Sequence, residues 1–173
     1  MNDSDPTNKI AKGFIWLAWL IGLAILVFVF QNELDDQYNP NSVPESSLSD
    51  SGYAEVKLQQ NRQGHYVTSG IIDGTPVVFL LDTGASNVSI PERVANRIGL
   101  IRGRAGRAQT ANGSITVYET RIEELSIGNI LLYNVRASIN PHMESDEILL
   151  GMSALKQLEF RQLGKQLILR EYK

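Results

Sequence analysis

A chain of 173 residues is long enough for about one ordinary domain together with a shorter additional segment. It contains no cysteine, which excludes a disulfide framework and a thiolate zinc site. Residues 1–52 carry 2 basic and 7 acidic side chains, and residues 53–173 carry 14 basic and 12 acidic ones. The C-terminal part is therefore nearly neutral, and its charge gives no argument for a nucleic-acid partner.

The first predicted element is an apolar helix over residues 13–30, GFIWLAWLIGLAILVFVF. Its 18 residues carry no charge, and at about 1.5 Å per residue this length just spans a hydrocarbon core of roughly 30 Å. A buried core helix and a cleaved signal peptide are the alternatives. The run is longer than the usual apolar region of a signal peptide, about 7 to 15 residues, and polar residues 31–33 follow it instead of small ones. We therefore predict an uncleaved, single-pass membrane anchor.

The basic residues predict the orientation of this anchor. Lys9 and Lys12 precede it, and the next basic residue is Lys57. Because positively charged flanks stay in the cytoplasm, residues 1–12 are expected to form a cytoplasmic tail in the inner, or plasma, membrane. The bulk of the chain is then periplasmic or otherwise extracytoplasmic.

Residues 31–52, QNELDDQYNPNSVPESSLSDSG, are rich in polar residues and proline and show neither helical nor strand periodicity. This composition predicts a flexible, solvated linker. The predicted organisation is thus a tail over residues 1–12, an anchor over 13–30, a linker over 31–52 and a folded domain over 53–173.

From residue 53 onward, short apolar runs separated by turn residues predict mainly β structure. Asp73 and Gly74, just before Pro76, predict a hairpin turn between the first two strands. The predicted strands are His65–Ile72, Val77–Leu81, Ser114–Thr120, Arg121–Ile127, Ile130–Ile139 and Gln166–Arg170. Two short helices are predicted at Pro91–Ile98 and Ser153–Leu158.

The stretch VVFLLDTGASNVSI, residues 77–90, carries the main chemical signal. Five apolar residues lead to Asp82, and Thr83 and Gly84 follow it. The glycine permits a tight turn whose backbone N–H groups lie near the carboxylate, and the threonine hydroxyl can form a local hydrogen bond. Such a loop would hold the carboxylate rigidly at the floor of a cavity. The alternative is an ordinary turn with an exposed aspartate.

At these residues the sequence resembles the retropepsin-like aspartic proteases, whose signature is an apolar strand, then Asp-Thr/Ser-Gly-Ala/Ser, then an apolar pair. The resemblance extends to TANG at residues 110–113, where bacterial relatives carry a flap turn, and to LLGMSAL at residues 149–155, the element that packs beside the catalytic loop. It covers residues 53–170. It implies an all-β acid-protease protomer, a closed or half-barrel β domain with one short C-terminal helix, preceded here by one transmembrane helix.

The resemblance also implies the site residues. They are Asp82 as the catalytic residue; Thr83, Gly84, Ala85 and Ser86 as its loop; Thr110, Ala111, Asn112 and Gly113 as the flap and substrate contacts; and Leu149, Leu150 and Gly151 as the packing behind the loop.

The mechanism that the family implies needs two carboxylates about 3 Å apart, which share one proton and titrate as a pair. One acts as base toward a water while the other hydrogen-bonds the scissile carbonyl. The chain is too short for two lobes, so the second carboxylate is expected from Asp82 of another copy in a symmetric homodimer. The tripeptide at Asp50 to Gly52 also reads Asp-Ser-Gly, but it lies in the predicted linker with no buried strand before it.

The sequence therefore predicts a membrane-anchored, homodimeric aspartic endopeptidase that acts on peptides or proteins. The alternatives are a non-catalytic binding or assembly module with the same fold, and a protease limited to cutting its own linker. No cofactor and no metal are expected, since His65 and His142 lack the spacing of metal ligands. Three arginines within residues 102–107 are interpreted as a solvated loop, with a contact to phosphate or an acidic substrate as the alternative.

Overall fold

The computed structural model describes residues 6–110 and 113–171, and the chain divides into two units at Tyr38. The first unit is made by helix α1, Pro6–Tyr38. Its segment Lys12–Tyr38 has 27 residues, and its most apolar window has a mean hydropathy of 2.6 with none of its residues buried. Among the described residues, this helix has the length and composition that could cross a membrane, as the sequence indicated, although it continues beyond residue 30.

The second unit is mainly β structure. Its elements in chain order are β1 Glu45–Leu48, β2 Ala54–Gln59, β3 Val67–Ile72, β4 Thr75–Leu81, β5 Val88–Pro91, α2 Glu92–Arg97, β6 Ala105–Thr110, β7 Gly113–Ile127, β8 Ile130–Asn140, β9 Ile148–Leu150, α3 Met152–Leu155, β10 Leu158–Leu163 and β11 Gln166–Glu171. The strands form a four-stranded sheet in the order β1-β2-β11-β10 and a seven-stranded sheet in the order β3-β4-β9-β5-β8-β7-β6.

The seven-stranded sheet curls back on itself, because β3 also pairs with β7, with Ile71 opposite Ser126 and Ile72 opposite Leu125. This closure makes the partly closed barrel that the resemblance implied. The buried apolar side chains of both sheets form one cluster, and its fully buried large members include Leu58, Ile72, Phe79, Ile90, Ile122, Ile139 and Leu150. The core thus lies directly behind the strand that leads to Asp82.

Most of the predicted strands after residue 65 are found within a few residues of their expected bounds. The hairpin between β3 and β4 turns at Asp73 and Gly74, with φ of 46° and 80°, as their sequence indicated. Ser114–Thr120 and Arg121–Ile127 are instead one continuous strand, β7, since neither Thr120 nor Arg121 is a turn residue.

The structure differs from the expected linker over residues 31–52. Helix α1 runs on to Tyr38, and β1 adds a strand to the sheet beside β2. Between them, the buried Asn41 side chain donates hydrogen bonds to the carbonyls of Gln59 and Val67 and accepts one from the Gln59 amide. The linker prediction was wrong here because it relied on polar composition. An asparagine that is buried and hydrogen-bonded to strand ends cannot be distinguished by composition from one in a solvated linker.

Two further boundaries are corrected. The helix expected at Ser153–Leu158 is α3, Met152–Leu155, and Leu158 begins β10, where it pairs with Glu171. The arginine-rich stretch is only partly a loop, since Ala105 begins β6 and pairs with Tyr118. In both places the antiparallel pairing with the next strand of a hairpin, β11 for β10 and β7 for β6, determines where the strand begins.

Candidate active site

Asp82 follows β4 directly and begins a six-residue loop that ends at β5. The last residues of β4 run parallel to β9, with Leu81 opposite Leu150, and the Asp82 amide donates a 3.2 Å hydrogen bond to the Leu150 carbonyl. The aspartate is half-buried, while Thr83 and Gly84 are exposed. Its backbone is therefore fixed to the sheet and its side chain stands at the rim of the core.

The carboxylate is held by its own turn. The Gly84 amide donates a 2.8 Å hydrogen bond to Oδ1 of Asp82, and the Ala85 amide donates one of 3.2 Å to the Asp82 carbonyl. A Cβ atom on Gly84 would lie 3.1 Å from the same Oδ1. The glycine thus permits this close approach of backbone and carboxylate, and a larger residue would require the carboxylate to shift by a few tenths of an ångström.

The residues after β9 support the loop from behind. The Met152 amide donates a 2.8 Å hydrogen bond to the Ala85 carbonyl. Gly151 is buried, and a Cβ atom there would overlap the carbonyl oxygen of Asn87 and lie 2.7 Å from that of Ala85. Leu149, Leu150 and Gly151 therefore lie against the Asp82 loop, where the resemblance placed them.

One supporting residue had no signal in the sequence analysis. The Ser153 hydroxyl accepts a 2.9 Å hydrogen bond from the Val88 amide and donates one of 2.7 Å to the Arg136 carbonyl. It joins the end of the Asp82 loop to β8 through helix α3. In the sequence Ser153 is only one residue of the LLGMSAL element at residues 149–155, and no pattern there marks it as a support for the loop.

Strands β6 and β7 form a hairpin at the position where a flap is expected, paired from Ala105 opposite Tyr118 to Thr110 opposite Gly113. The Thr110 hydroxyl donates a 2.8 Å hydrogen bond to the Gly113 carbonyl. Ala111 and Asn112, named above as flap residues, lie outside the described residues. The hairpin is at the edge of the seven-stranded sheet, which leaves one side of β6 without a partner strand among the described residues.

A cavity of about 280 Å³ lies beside the Asp82 loop. Thr83, which directly follows the aspartate, lines it together with Tyr66, Leu81, Leu155, Phe160, Gln162 and Leu167. The Tyr66 hydroxyl is buried and has no hydrogen-bond partner in the part of the chain that the structure describes. Burial raises the pKa of Tyr66 because it disfavours the phenolate.

A more open cleft of about 750 Å³ reaches the Asp82 loop only at Asn87. Its lining carries charges of both signs, with Arg121 and Arg136 beside Glu119 and Glu123.

In the arginine-rich stretch, Arg102 forms an ion pair with Glu92 and lies 4.8 Å from the centre of the Tyr118 ring. The Arg102 guanidinium therefore has partners within its own domain, whereas Arg104 and Arg107 are exposed to solvent.

The remaining candidates lie apart from the Asp82 loop. Asp50 and Gly52 form the turn between β1 and β2, where Asp50 is exposed and Gly52 has φ of 80°. Within residues 6–110 and 113–171, no group of three or more histidine, aspartate or glutamate side chains is arranged to hold a metal ion.

The chain is similar to several known proteins. A sequence model of the family described as "gag-polyprotein putative aspartyl protease" matches residues 68–157. A Sinorhizobium protein described as uncharacterized, in the cobV 5′ region, is 34% identical over an alignment of 158 residues that covers 86% of this chain and 67% of that protein. The Rickettsia prowazekii protein RP867, also described as uncharacterized, is 23% identical over an alignment of 124 residues that covers 68% of this chain and 52% of that protein.

A solved structure has the same fold. The crystal structure of a retropepsin-like aspartic protease from Rickettsia conorii matches with a TM-score of 0.59 and 26% identity, over 73% of this chain and 96% of the Rickettsia chain. The family match includes Asp82 and its loop, the β6–β7 hairpin and Gly151. The chain therefore belongs to the retropepsin-like aspartic proteases.

Proposed function

We propose that this protein is a membrane-anchored, homodimeric aspartic endopeptidase in which Asp82 of each copy supplies one of the two catalytic carboxylates. The observation that carries the proposal is the Asp82 side chain itself. It is half-buried at the end of β4, and the Gly84 amide holds one of its oxygens. A carboxylate held in this way has little freedom to reorganise, which is what a catalytic group at a shared site requires.

The reaction follows from two such carboxylates meeting at a two-fold axis. They share one proton, because two ionised carboxylates about 3 Å apart repel each other strongly. The ionised one takes a proton from a water molecule, whose oxygen attacks the scissile carbonyl carbon, while the protonated one donates its proton to the carbonyl oxygen. The tetrahedral diol then breaks its C–N bond as the nitrogen takes up a proton, so no covalent enzyme intermediate and no cofactor is needed.

Substrate is proposed to bind as an extended strand through main-chain hydrogen bonds, with apolar pockets on either side of the cut bond. The β6–β7 hairpin is the element proposed to close over it and exclude water. Its support is the continuous pairing from Ala105 to Thr110 at the free edge of the sheet, a position from which a hairpin can bend without breaking other strand pairs.

The anchor and its orientation are part of the proposal. Helix α1 has a suitable length and composition, and Lys9 and Lys12 lie in its first turns, before the apolar run 13–30, whereas the next basic residue is Lys57. This distribution supports a cytoplasmic N-terminus and an extracytoplasmic protease domain. Confinement to one membrane plane raises the effective concentration of the copies and favours the dimer.

Self-processing within residues 31–52 is the less favoured alternative. A protease substrate must be extended and free of other partners, but residues up to Tyr38 are helical, Asn41 is buried, and Glu45–Leu48 is paired with β2. These contacts argue against a cut in this segment of the folded chain.

The test is cleavage of a diverse peptide library by the full-length protein in detergent, with products identified by mass spectrometry. We expect internal cuts that vanish in Asp82→Asn and whose rate rises faster than linearly with protein concentration. Asp50→Asn is the matched control, since it removes the exposed aspartate of the similar tripeptide Asp-Ser-Gly at residues 50–52. Cuts that persist in Asp82→Asn would reject the proposal, and a folded, dimeric wild type without any cuts would favour the binding module.

A further inference from the structure

One face of the β7–β8 ladder carries a pair of arginines. Arg121 of β7 lies directly opposite Arg136 of β8, so the two side chains project from the same face of the sheet with about 5 Å between their Cβ atoms. Both are exposed, and neither forms an ion pair within residues 6–110 and 113–171. Like charges directly opposite each other destabilise a sheet. A negatively charged ligand between the two guanidiniums would remove this repulsion.

One guanidinium of the pair is already held in place. Nη1 of Arg121 donates hydrogen bonds to the backbone carbonyl of Asn134, at 3.3 Å, and to its side-chain Oδ1. Asn134 has φ of 58°, a left-handed conformation that asparagine tolerates better than most residues, and the pairing of β7 with β8 is interrupted there. The Nε and Nη2 groups of Arg121 make no hydrogen bond within the described part of the chain. They remain available to a ligand.

The two arginines line the cleft of about 750 Å³ that reaches the Asp82 loop. Residues 98–103, between α2 and β6, form another part of its lining. This part is largely apolar, and Ile101 is 85% exposed. It is anchored to β7, because the Gly103 amide donates a 2.7 Å hydrogen bond to the Glu119 carbonyl. The cleft thus combines a cationic pair with an apolar wall, which fits a peptide segment that carries an acidic residue beside an apolar one.

Acidic side chains limit what this cleft can bind. Glu119 and Glu123 lie two residues before and after Arg121, so they project from the same face of β7, about 7 Å away along the strand. Both line the cleft, as does Asp73. They would repel a ligand with many adjacent negative charges, such as a nucleic acid. A single carboxylate whose neighbours are uncharged or basic fits this arrangement.

The distance from the catalytic loop determines which part of a substrate reaches the cleft. Asn87, where the cleft meets this loop, is five residues after Asp82. Five residues span at most about 17 Å, so the near end of the cleft lies within that distance of Asp82. An extended peptide that is cut at Asp82 covers this distance in about five residues. A residue about five to eight positions from the cut bond can therefore enter the cleft.

We propose that the cleft is a second substrate site, in which Arg121 and Arg136 together bind the carboxylate of a glutamate or aspartate about five to eight residues from the cut bond. The inference rests on the proposed function, because the occupant is the polypeptide that is cleaved at Asp82. The contact lies far from the reacting atoms and is the same before and during the reaction. It therefore lowers KM, leaves kcat unchanged, and selects substrates with an acidic residue at this spacing.

Matched peptides test this site. A peptide that the full-length protein in detergent cuts once is resynthesised with a single glutamate at each of the fifth to eighth positions on either side of the cut bond. Each peptide is compared with its glutamine counterpart. We expect kcat/KM of at least one glutamate peptide to exceed that of its counterpart by about five- to tenfold, through KM, because charge-assisted hydrogen bonds to arginine are strong. The ratio should fall as the ionic strength is raised.

Arginine variants show where the glutamate binds. Arg121→Gln and Arg136→Gln should each bring the ratio of glutamate to glutamine peptide to within about twofold of one. Because the ratio is taken within each variant, a general loss of activity does not affect it. Arg104→Gln is the matched control and should keep the wild-type ratio, since Arg104 is exposed but does not line the cleft. Thermal unfolding of each variant confirms that it is folded.

Binding without cleavage provides a second readout. Asp82→Asn, which is expected not to cut, should bind the fluorescently labelled glutamate peptide about five- to tenfold more tightly than the glutamine peptide. Adding Arg136→Gln should remove this difference. Fluorescence anisotropy gives both dissociation constants.

Equal kcat/KM for every glutamate and glutamine pair, or a preference for glutamate that persists in both arginine variants, would overturn the inference. Asp82-dependent cleavage without any such preference would refute this site and leave the proposed function standing. Tighter binding of the glutamate peptide through Arg121 and Arg136, without cleavage by the wild type, would refute the protease and support the cleft as a site for acidic peptides.

Discussion

The backbone amide of Gly84 lies 2.8 Å from Oδ1 of Asp82 and donates a hydrogen bond to it. No side chain on residue 84 fits this arrangement without a shift, because a Cβ atom would be 3.1 Å from that oxygen. In the tripeptide Asp82-Thr83-Gly84, the glycine therefore determines where one oxygen of the aspartate can lie. In the proposed dimer this happens twice, once on each side of the axis.

Gly84→Ala is expected to lower cleavage about 10- to 100-fold while it changes the melting temperature little. The added methyl group must push the carboxylate by a few tenths of an ångström, and a small misplacement of a catalytic group is costly when two such groups must meet. Peptide cleavage and thermal unfolding measure the two effects. Gly13→Ala, at a glycine with no atom within 4 Å, is the control. Unchanged cleavage by Gly84→Ala would show that the amide contact does not position the carboxylate.

Gly151→Ala should instead destabilise the domain. Its methyl group would overlap the Asn87 carbonyl and lie 2.7 Å from that of Ala85, and both are backbone atoms of the Asp82 loop, which cannot give way as the end of a flexible side chain can. Overpacking of this kind costs about 1 to 3 kcal/mol, and the loop that carries Asp82 would move as well. Urea unfolding followed by circular dichroism measures the loss. A variant with wild-type stability would mean that the loop moves away from Gly151 at no cost.

The local parts of this site could be predicted from the sequence. Asp82, Thr83 and Gly84 lie between two apolar runs, and the turn at Asp73 and Gly74 fixes the register of the hairpin before them, so neighbouring residues carry the signal. Leu149 and Leu150 were predicted as part of a packing element. Their strand character comes from the parallel pairing of β9 with β4, about 70 residues away, which no local pattern encodes.

Other features were missed because only strand pairing defines them. Strands β1, β2, β5, β6 and β10 are short or lack strict alternation, and β5 in addition pairs with a strand about 50 residues away. Asn41 illustrates the point most clearly. In the sequence it is one asparagine between prolines in a polar stretch, whereas in the structure it is only 3% exposed and bonded to Gln59 and Val67. The role of Asn41 depends on the end of β2 and the start of β3, which the sequence alone does not place beside it.

Asn41→Ala is therefore expected to destabilise the protease domain by about 1 to 3 kcal/mol, since the buried Val67 carbonyl and two part-buried backbone groups of Gln59 lose their partner. The exposed neighbouring change Ser42→Ala should have almost no effect. Hydrogen exchange measured by mass spectrometry should show faster exchange near Gln59 and Ser69 in the first variant only, because the Ser69 amide donates to the Asn41 carbonyl. A flexible linker, in contrast, would tolerate both changes equally.

Tyr66 provides a prediction about pH. Burial raises the pKa of its hydroxyl above the ordinary value of about 10, so the unfolded chain loses this proton first as the pH rises. The contribution of Tyr66 to stability is therefore complete below about pH 10 and is lost as the pH rises toward the folded-state pKa. Tyr66→Phe cannot ionise, and its stability should fall less steeply between about pH 9 and 11 than that of the wild type.

At neutral pH the same substitution should leave stability unchanged or slightly increased, because the buried hydroxyl has no hydrogen-bond partner among the described residues. The measurement is urea unfolding of the full chain from neutral to alkaline pH, at concentrations low enough to keep it monomeric. Parallel alkaline slopes for Tyr66→Phe and the wild type would show that the hydroxyl ionises equally easily in both states. A clearly lower stability of Tyr66→Phe at neutral pH would mean that the hydroxyl has a hydrogen-bond partner. The cavity that Tyr66 and Thr83 line would then contain a polar contact.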